Sequence, residues 1–349
     1  MPASPPNPLG LDGFAFAEFT SPNPARMARQ FKQLGFVAAS EKPARGLTLF
    51  RQGRIRLVMN AGGGQAAMFR KAHGPSANGM GFRVADATQA YLLAIERGAV
   101  AVDPTVTALP EAKVIEGIGG SVLYLVDDDP FADWEDIPGW REAERRDGVG
   151  LDLLDHLTHN VRRGQMRVWS SFYSKLFGFE EQKYFDIKGQ ATGLLSQAMI
   201  APDGAIRIPL NESQDENSQI EEYLRQYHGE GIQHLAFTTD DIYGTVEKLR
   251  DRGVSLQDTV ETYYALVDRR IPGHGEDLER LKKNRILIDG SAGEEGILLQ
   301  IFTNNLFGPI FFEIIQRKGN QGFGEGNFKA LFESIELDQI RRGVVQDKT

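Results

Sequence analysis

Leu154-Asp155-His156-Leu157-Thr158-His159-Asn160 opens a stretch that runs on to Phe177-Gly178-Phe179. An earlier stretch opens Leu11-Asp12-Gly13-Phe14 and runs on to Leu34-Gly35-Phe36, at a constant offset of 143 residues. A second match follows: Asn78-Gly79-Met80-Gly81-Phe82 against Gln233-His234-Leu235-Ala236-Phe237, and on to Arg97-Gly98 against Arg252-Gly253, offset by 155. A third sets Gly120–Val126 against Gly296–Phe302. Three matches in one order predict a duplicated chain whose halves meet near residue 150.

Each half holds a finer repeat. A short apolar strand leads into an amphipathic helix that stops at Gly, as Thr88–Glu96 before Gly98 and Ile242–Asp251 before Gly253. Several short strands follow, among them Ile55–Met59, Ala205–Leu210 and Ile297–Thr303. The unit is βαβββ, used about four times, and predicts an α+β protein with helices on one side of curved mixed sheets. The expected layout is a disordered leader over 1–10, an N-terminal domain over 11–135, a linker over 136–150 and a C-terminal domain over 151–349. Asp258–Lys283 reads as a surface excursion or helical insert. The tail from Asn327 has helical spacing at Phe328, Leu331, Phe332, Ile335 and Ile340.

Composition narrows the function. The chain has 349 residues, which suits two domains. It carries 39 basic and 48 acidic residues, a net charge of −9, which argues against a nucleic-acid or anionic-membrane partner. Cysteine is absent, which excludes disulfides, thiolate nucleophiles, zinc–thiolate sites and iron–sulfur ligation. No apolar run approaches the ~20 residues of a membrane helix, and the N-terminus lacks a signal-peptide pattern, so a cytoplasmic protein is expected.

The halves differ where chemistry is possible. His156 stands opposite Gly13 and His234 opposite Gly79, so only the second half carries this histidine pair. Pseudo-symmetric strands would set the two imidazoles side by side, as metal ligands lie. Glu313, inside the apolar run Phe311-Phe312-Glu313-Ile314-Ile315, is costly to bury unless it is paired with a base or bound to metal. Two His and one carboxylate with open positions describe the facial triad of non-heme iron(II) oxygenases, although manganese, cobalt or zinc fit the same ligands. His159, His73, His228 and His274 read as structural or exposed. Gly322–Gly326 as a phosphate cradle and Asp127–Asp129 as a cation site are set aside, the first for want of an entering strand and the second as a solvated loop.

Leu154–Asn160, Gly231–Phe237, Pro309–Arg317 (PIFFEIIQR) and Phe323–Phe328 (FGEGNF) together resemble the 4-hydroxyphenylpyruvate dioxygenases, over nearly the whole chain and in family order. The resemblance implies the vicinal oxygen chelate fold of paired βαβββ units, with a C-terminal helix. It implies His156, His234 and Glu313 as Fe(II) ligands. It implies a substrate pocket of Ser196, Asn211, Gln219, Gln233, Gln300, Phe302, Phe311 and Phe328, and a gate at Gly324, Gly326 and Asn327 under the tail helix. Gln233 neighbours His234, so a regular strand would turn it away from the metal and a bulge is needed to bring it in. The implied reaction takes 4-hydroxyphenylpyruvate and O2 through oxidative decarboxylation, ring hydroxylation and side-chain migration to homogentisate. It belongs to tyrosine and phenylalanine catabolism, in a homo-oligomer, dimer or tetramer. Alternatives are 4-hydroxymandelate synthase, which shares triad and substrate, and a non-enzymatic small-molecule binding protein on the same fold. A ring-cleaving extradiol dioxygenase fits the PIFFEIIQR and FGEGNF stretches poorly.

Overall fold

Two aspartates at equivalent places start two equivalent helices. Asp86 and Asp241 each precede a helix and accept a hydrogen bond from the backbone N–H three residues on, Gln89 and Gly244. Such caps contribute about 1 kcal/mol each. Both helices end at a glycine in the left-handed region, Gly98 and Gly253. This punctuation sets the repeat.

The computed structural model describes residues 6–188, 193–293, 295–324, 326–327, 339 and 342–344. The first unit is β1 (Phe14–Thr20), α1 (Pro24–Gln33), β2 (Val37–Lys42), β3 (Leu47–Gln52) and β4 (Ile55–Asn60). After α2 (Gly64–His73), the second unit is β5 (Ser76–Arg83), α3 (Ala87–Glu96), β6 (Lys113–Glu116) and β7 (Val122–Val126). Its missing strand is reduced to one bridge, Ala101 to Ile115. Then come β8 (Glu135–Asp136) and α4 (Trp140–Asp147). The third unit is β9 (Leu151–Val161), α5 (Met166–Phe177), β10 (Glu180–Lys188), β11 (Gly193–Ile200) and β12 (Arg207–Ser213). After α6 (Gln219–Tyr227), the fourth unit holds β13 (Gly231–Thr239), α7 (Ile242–Asp251), β14 (Leu287–Ser291), β15 (Gly296–Phe302) and β16 (Phe311–Lys318). Three short helices interrupt it: α8 (Glu261–Ala265), α9 (Val267–Arg270) and α10 (Leu278–Asn284). They make the excursion at 258–283 a helical insert.

The strands form two eight-stranded mixed sheets, β6-β7-β5-β1-β4-β3-β2-β8 and β10-β11-β12-β9-β13-β16-β15-β14. The central ladders repeat. Antiparallel β1–β5 corresponds to β9–β13, and parallel β5–β7 to β13–β16. This α+β arrangement is the vicinal oxygen chelate fold. A phenylalanine cluster joins the halves: Phe19 packs on Phe307 and Phe312, Phe31 on Phe307, and Phe36 on Phe237. Each such ring, fully buried, contributes about 1.5–3 kcal/mol.

The ladders correct two of the sequence matches. Gly79 faces Val122 and Gly81 faces Tyr124, as His234 faces Phe311 and Ala236 faces Glu313. The counterpart of Gly120–Val126 is therefore β16, not Gly296–Phe302; two equally apolar strands are indistinguishable by composition. Gly81 also faces Phe16 on β1 where Ala236 faces His156 on β9. The residue opposite His156 is thus Phe16 and not Gly13: the strands correspond at an offset of 140, Phe14 to Leu154 and Phe16 to His156, with the same bulge in both sheets. The offset of 143 holds at the helix ends, Gly35 and Gly178, so the second half carries three more residues between β9 and the end of α5.

The leader also differs from expectation. Within 6–10, the Asn7 side chain bonds both the N–H and the carbonyl of Leu11, and Leu9 is buried. The 136–150 stretch carries α4, whose Trp140 packs on Val37 and Ala39 of β2. The tail helix read from Asn327 lies outside the described residues as a whole. Among the described residues, no helix is long and apolar enough to cross a membrane.

Candidate metal centre

Period-two alternation sends His156, Thr158 and Asn160 of β9 to one face. The Thr158 hydroxyl lies 3.1 Å from His234 Nε2 on the neighbouring β13, so that face is the concave one. Glu313 reaches the same space from β16, through a parallel ladder that sets it beside Ala236. Ligand atoms of His156, His234 and Glu313 lie within 4.8 Å of one another, and all three residues are buried. Glu313 Oε2 is 3.0 Å from His156 Nε2 and 3.4 Å from His234 Nε2.

The surroundings fix the imidazole tautomers. His156 Nδ1–H donates to Asp155 Oδ2 at 2.9 Å, and His234 Nδ1–H donates to Gln233 Oε1 at 2.8 Å. Both Nε2 lone pairs are therefore turned toward Glu313. Two imidazole lone pairs facing a carboxylate oxygen call for a cation between them. Two neutral nitrogens and one anionic oxygen, with each Nδ1 held from behind, suit a divalent transition metal. The residues present fit the metal that the sequence implies.

Electrostatics agree with that arrangement. Burial opposes charge on Glu313, yet His156 and His234 hold its carboxyl down at about 2. Burial opposes protonation of His156 as well, but Glu313 and Asp155 outweigh it and raise its pKa. Burial lowers that of His234. Asp155 is buried, which alone would raise it, yet Arg317 and His156 keep it far below the usual carboxylate range. Arg317 grips Asp155 with two nitrogens, at 2.9 and 2.8 Å, and Arg207 adds a third contact at 3.2 Å.

Gln300 and Gln233 brace the triad. Gln300 Nε2 donates to Glu313 Oε1 at 2.6 Å, and Gln300 Oε1 accepts from Asn327 Nδ2 at 2.8 Å. Gln233 falls at a register shift between Ile232 and His234, the bulge that its position required. Ring packing completes the walls. Phe311 stacks on His234 at 4.8 Å, Phe302 lies 6.0 Å from Phe311, and Phe323 sits edge-on to His156 at 5.6 Å. A cavity of about 580 Å³ opens beside Gln233 and Phe311, with Gln219, Leu256 and Pro309 in its wall. Ser196 and Asn211 are register partners on β11 and β12. Ser196 Oγ and Asn211 Oδ1 are buried with no hydrogen-bond partner among the described residues.

Gly324 and Gly326 owe their identity to close approach. A Cβ on Gly324, at φ +70°, would stand 2.1 Å from Gln300 Oε1, and one on Gly326 would stand 2.6 Å from Asp289 Oδ1. Phe328 lies outside the described residues. Asp155 and Thr158, which touch the triad histidines, and Arg317, which holds Asp155, are not among the residues the sequence singles out. Strand parity from His156 could have found Thr158; no sequence pattern couples Asp155 to Arg317.

His159 faces the other way, onto Tyr173 of α5 at 2.6 Å. His73, His228 and His274 bond to Tyr227 O, Ala72 O and Asp268, remote from the triad.

Known proteins share this architecture. The family model described as hydroxyphenylpyruvate dioxygenase, N-terminal, matches residues 6–137. The glyoxalase/bleomycin resistance protein/dioxygenase superfamily model matches 153–266. The chain is 54% identical to a 4-hydroxyphenylpyruvate dioxygenase of Pseudomonas aeruginosa, covering 97% of both chains. It is 51% identical to one of Legionella pneumophila, covering 98% of this chain and 99% of that one. Among solved structures, a mutant 4-hydroxymandelate synthase from Streptomyces coelicolor superposes with a TM-score of 0.82 at 30% identity, covering 95% of this chain and 99% of the other.

Proposed function

The chain belongs to the 4-hydroxyphenylpyruvate dioxygenase family, and from that premise we propose that the triad and the cavity beside it convert 4-hydroxyphenylpyruvate and O2 to homogentisate and CO2. It is a dioxygenase. One oxygen atom enters the ring and the other enters the new carboxylate. The ring keeps its hydroxyl, and the side chain, now an acetate, moves to the adjacent carbon. The observation that carries the reading is the buried His156–His234–Glu313 cluster, with both Nε2 lone pairs and one carboxylate oxygen converging.

His156 Nε2, His234 Nε2 and Glu313 Oε2 would hold Fe(II). When bound, the iron would supply Lewis-acid and redox chemistry, with decarboxylation of the 2-oxo acid and hydroxylation of the ring as the net sources of electrons for O2. The protein does the rest. Asp155 and Gln233 hold the imidazoles in one tautomer and one orientation. Gln300 occupies the second oxygen of Glu313 and so turns the first toward the histidines. Phe302, Phe311 and Phe323 exclude water and wall the aromatic ring. Ser196, Asn211 and Gln219 offer hydrogen bonds to polar ends of the substrate, supported by the unpartnered Ser196 and Asn211 oxygens. We place Phe328 and a gate at Gly324, Gly326 and Asn327 in the same pocket on the family resemblance.

The same reading places the reaction in tyrosine and phenylalanine catabolism, in the cytoplasm, and in a homo-oligomer that size-exclusion chromatography would test. The decisive experiment is product identification. Iron(II)-loaded protein with 4-hydroxyphenylpyruvate and O2 is expected to yield homogentisate by mass spectrometry and NMR. 4-Hydroxymandelate would instead move attack to the benzylic carbon. Unchanged substrate with iron bound would overturn the reading.

A further inference from the structure

We propose that Asn160 is a specificity-determining residue of this site, its side-chain amide binding the phenol hydroxyl of the substrate; the inference rests on the function proposed above. Asn160 is register partner of Asn211 on β12, and Asn211 of Ser196 on β11. Three polar side chains therefore lie in one row across three strands. The row shares the concave face with the triad, because His156, Thr158 and Asn160 alternate on β9 and Thr158 meets His234.

Asn160 is fully buried, and neither its Nδ2 nor its Oδ1 has a partner among the described residues. An amide buried with both ends unsatisfied costs stability with no return in the free protein. A packing role needs no amide, since an apolar side chain of the same branched shape, leucine, would serve. A phenol hydroxyl is one donor and one acceptor, which an amide answers with one acceptor and one donor.

Position agrees with chemistry. Asn160 stands four residues from His156, roughly 13 Å along the strand. A 2-oxo acid held at the triad would project its para-substituted ring in that direction. The far end is closed by α6. Gly231, the register partner of Asn160 on β13, has its missing Cβ within 2.3 Å of the Tyr227 ring and 3.1 Å of the Tyr223 hydroxyl. The glycine lets these tyrosines seal the floor beside Asn160.

The test compares 4-hydroxyphenylpyruvate with phenylpyruvate, which lacks only the phenol hydroxyl. Equilibrium binding of each acid is measured anaerobically on full-length, iron(II)-loaded protein. Asn160→Leu is expected to weaken the phenolic acid roughly ten-fold or more, and phenylpyruvate by about two-fold or less. Iron affinity should be unchanged. Asn160→Ser, a smaller side chain that keeps one polar group as a hydroxyl, should fall between and covers the case where leucine prevents folding. Equal losses for both acids, or weaker iron binding, would overturn the proposal. If the wild type does not prefer the phenolic acid and makes no homogentisate, the underlying function fails. If it does both and the variants keep the preference, only the role of Asn160 fails.

Discussion

Tyr124 holds, in the N-terminal sheet, the register position that Glu313 holds in the C-terminal one. Gly81 faces Tyr124 on β7 as Ala236 faces Glu313 on β16. The other two ligand positions are Phe16 and Gly79, equivalent to His156 and His234. The Phe16 and Tyr124 rings pack at 5.2 Å, so an aromatic pair fills the space that the triad surrounds in the other half. Beside it Glu18 accepts hydrogen bonds from Asn60, Asn78 and Tyr124, and burial outweighs them to raise its pKa. The first half is filled at this point, and the second is hollow around the triad.

On the proposed function, each chain is expected to bind one metal ion, at the triad. Iron(II) titration followed by elemental analysis should give about one ion per chain in the wild type and close to none in His156→Ala or Glu313→Gln. A second equivalent that survives these substitutions would contradict the aromatic filling of the first half.

Arg317 should matter although it touches no ligand atom of the triad. Its two contacts hold Asp155, and Asp155 orients His156. Arg317→Met leaves a buried carboxylate with Arg207, at 3.2 Å, as its one remaining arginine beside the His156 N–H. Breaking a buried pair costs about 3–5 kcal/mol, and loss of a group behind a metal ligand weakens the metal about 10–100-fold. Denaturant unfolding of the metal-free protein and competitive iron titration measure the two effects separately. A variant of unchanged iron affinity would show that Arg317 serves folding only.

Gly324→Ala should lower turnover without touching a ligand. The new methyl meets Gln300 Oε1, and its backbone is already at φ +70°. Gln300 must shift, giving up the bond its Nε2 donates to Glu313 Oε1 and the one its Oε1 accepts from Asn327 Nδ2. A loss of about ten-fold in kcat, about 1.4 kcal/mol in the barrier, is expected. Steady-state kinetics check it, and unchanged kcat would show that Gln300 does not brace the carboxylate.

The duplication, the four units and the three triad residues were legible because each leaves a local mark: an Asp cap, a Gly stop, a histidine in an apolar strand, a glutamate among phenylalanines. Gln233 was legible as a required exception to strand parity, and the ladder supplies the bulge. Register was less legible. The slip of three residues from Gly13 to Phe16 as the counterpart of His156 comes from three extra residues between β9 and the end of α5, so the paired Leu-Asp and Gly-Phe marks align at 143 while the strands correspond at 140. The Asp155–Arg317 pair spans 162 positions and joins two strands that meet only in the folded sheet. Asn160 could have been read by parity, but the emptiness around its amide shows only in three dimensions.

His159 supplies a pH test independent of the metal. It is fully buried against Tyr173, and burial pushes its pKa down to about 3 from an ordinary value of 6.5. The unfolded chain therefore takes up a proton at pH 6.5 that the folded chain refuses until about pH 3. Acidification through that window drains stability by about 1.4 kcal/mol per pH unit, and the loss levels off below it. His159→Gln keeps a polar group for Tyr173 and removes the titration. Urea unfolding at pH values between neutral and 5 should show a steeper loss in the wild type than in the variant. Parallel slopes would mean that His159 is protonated in the folded protein, and that its burial is paid back by a partner on the helix side of the sheet.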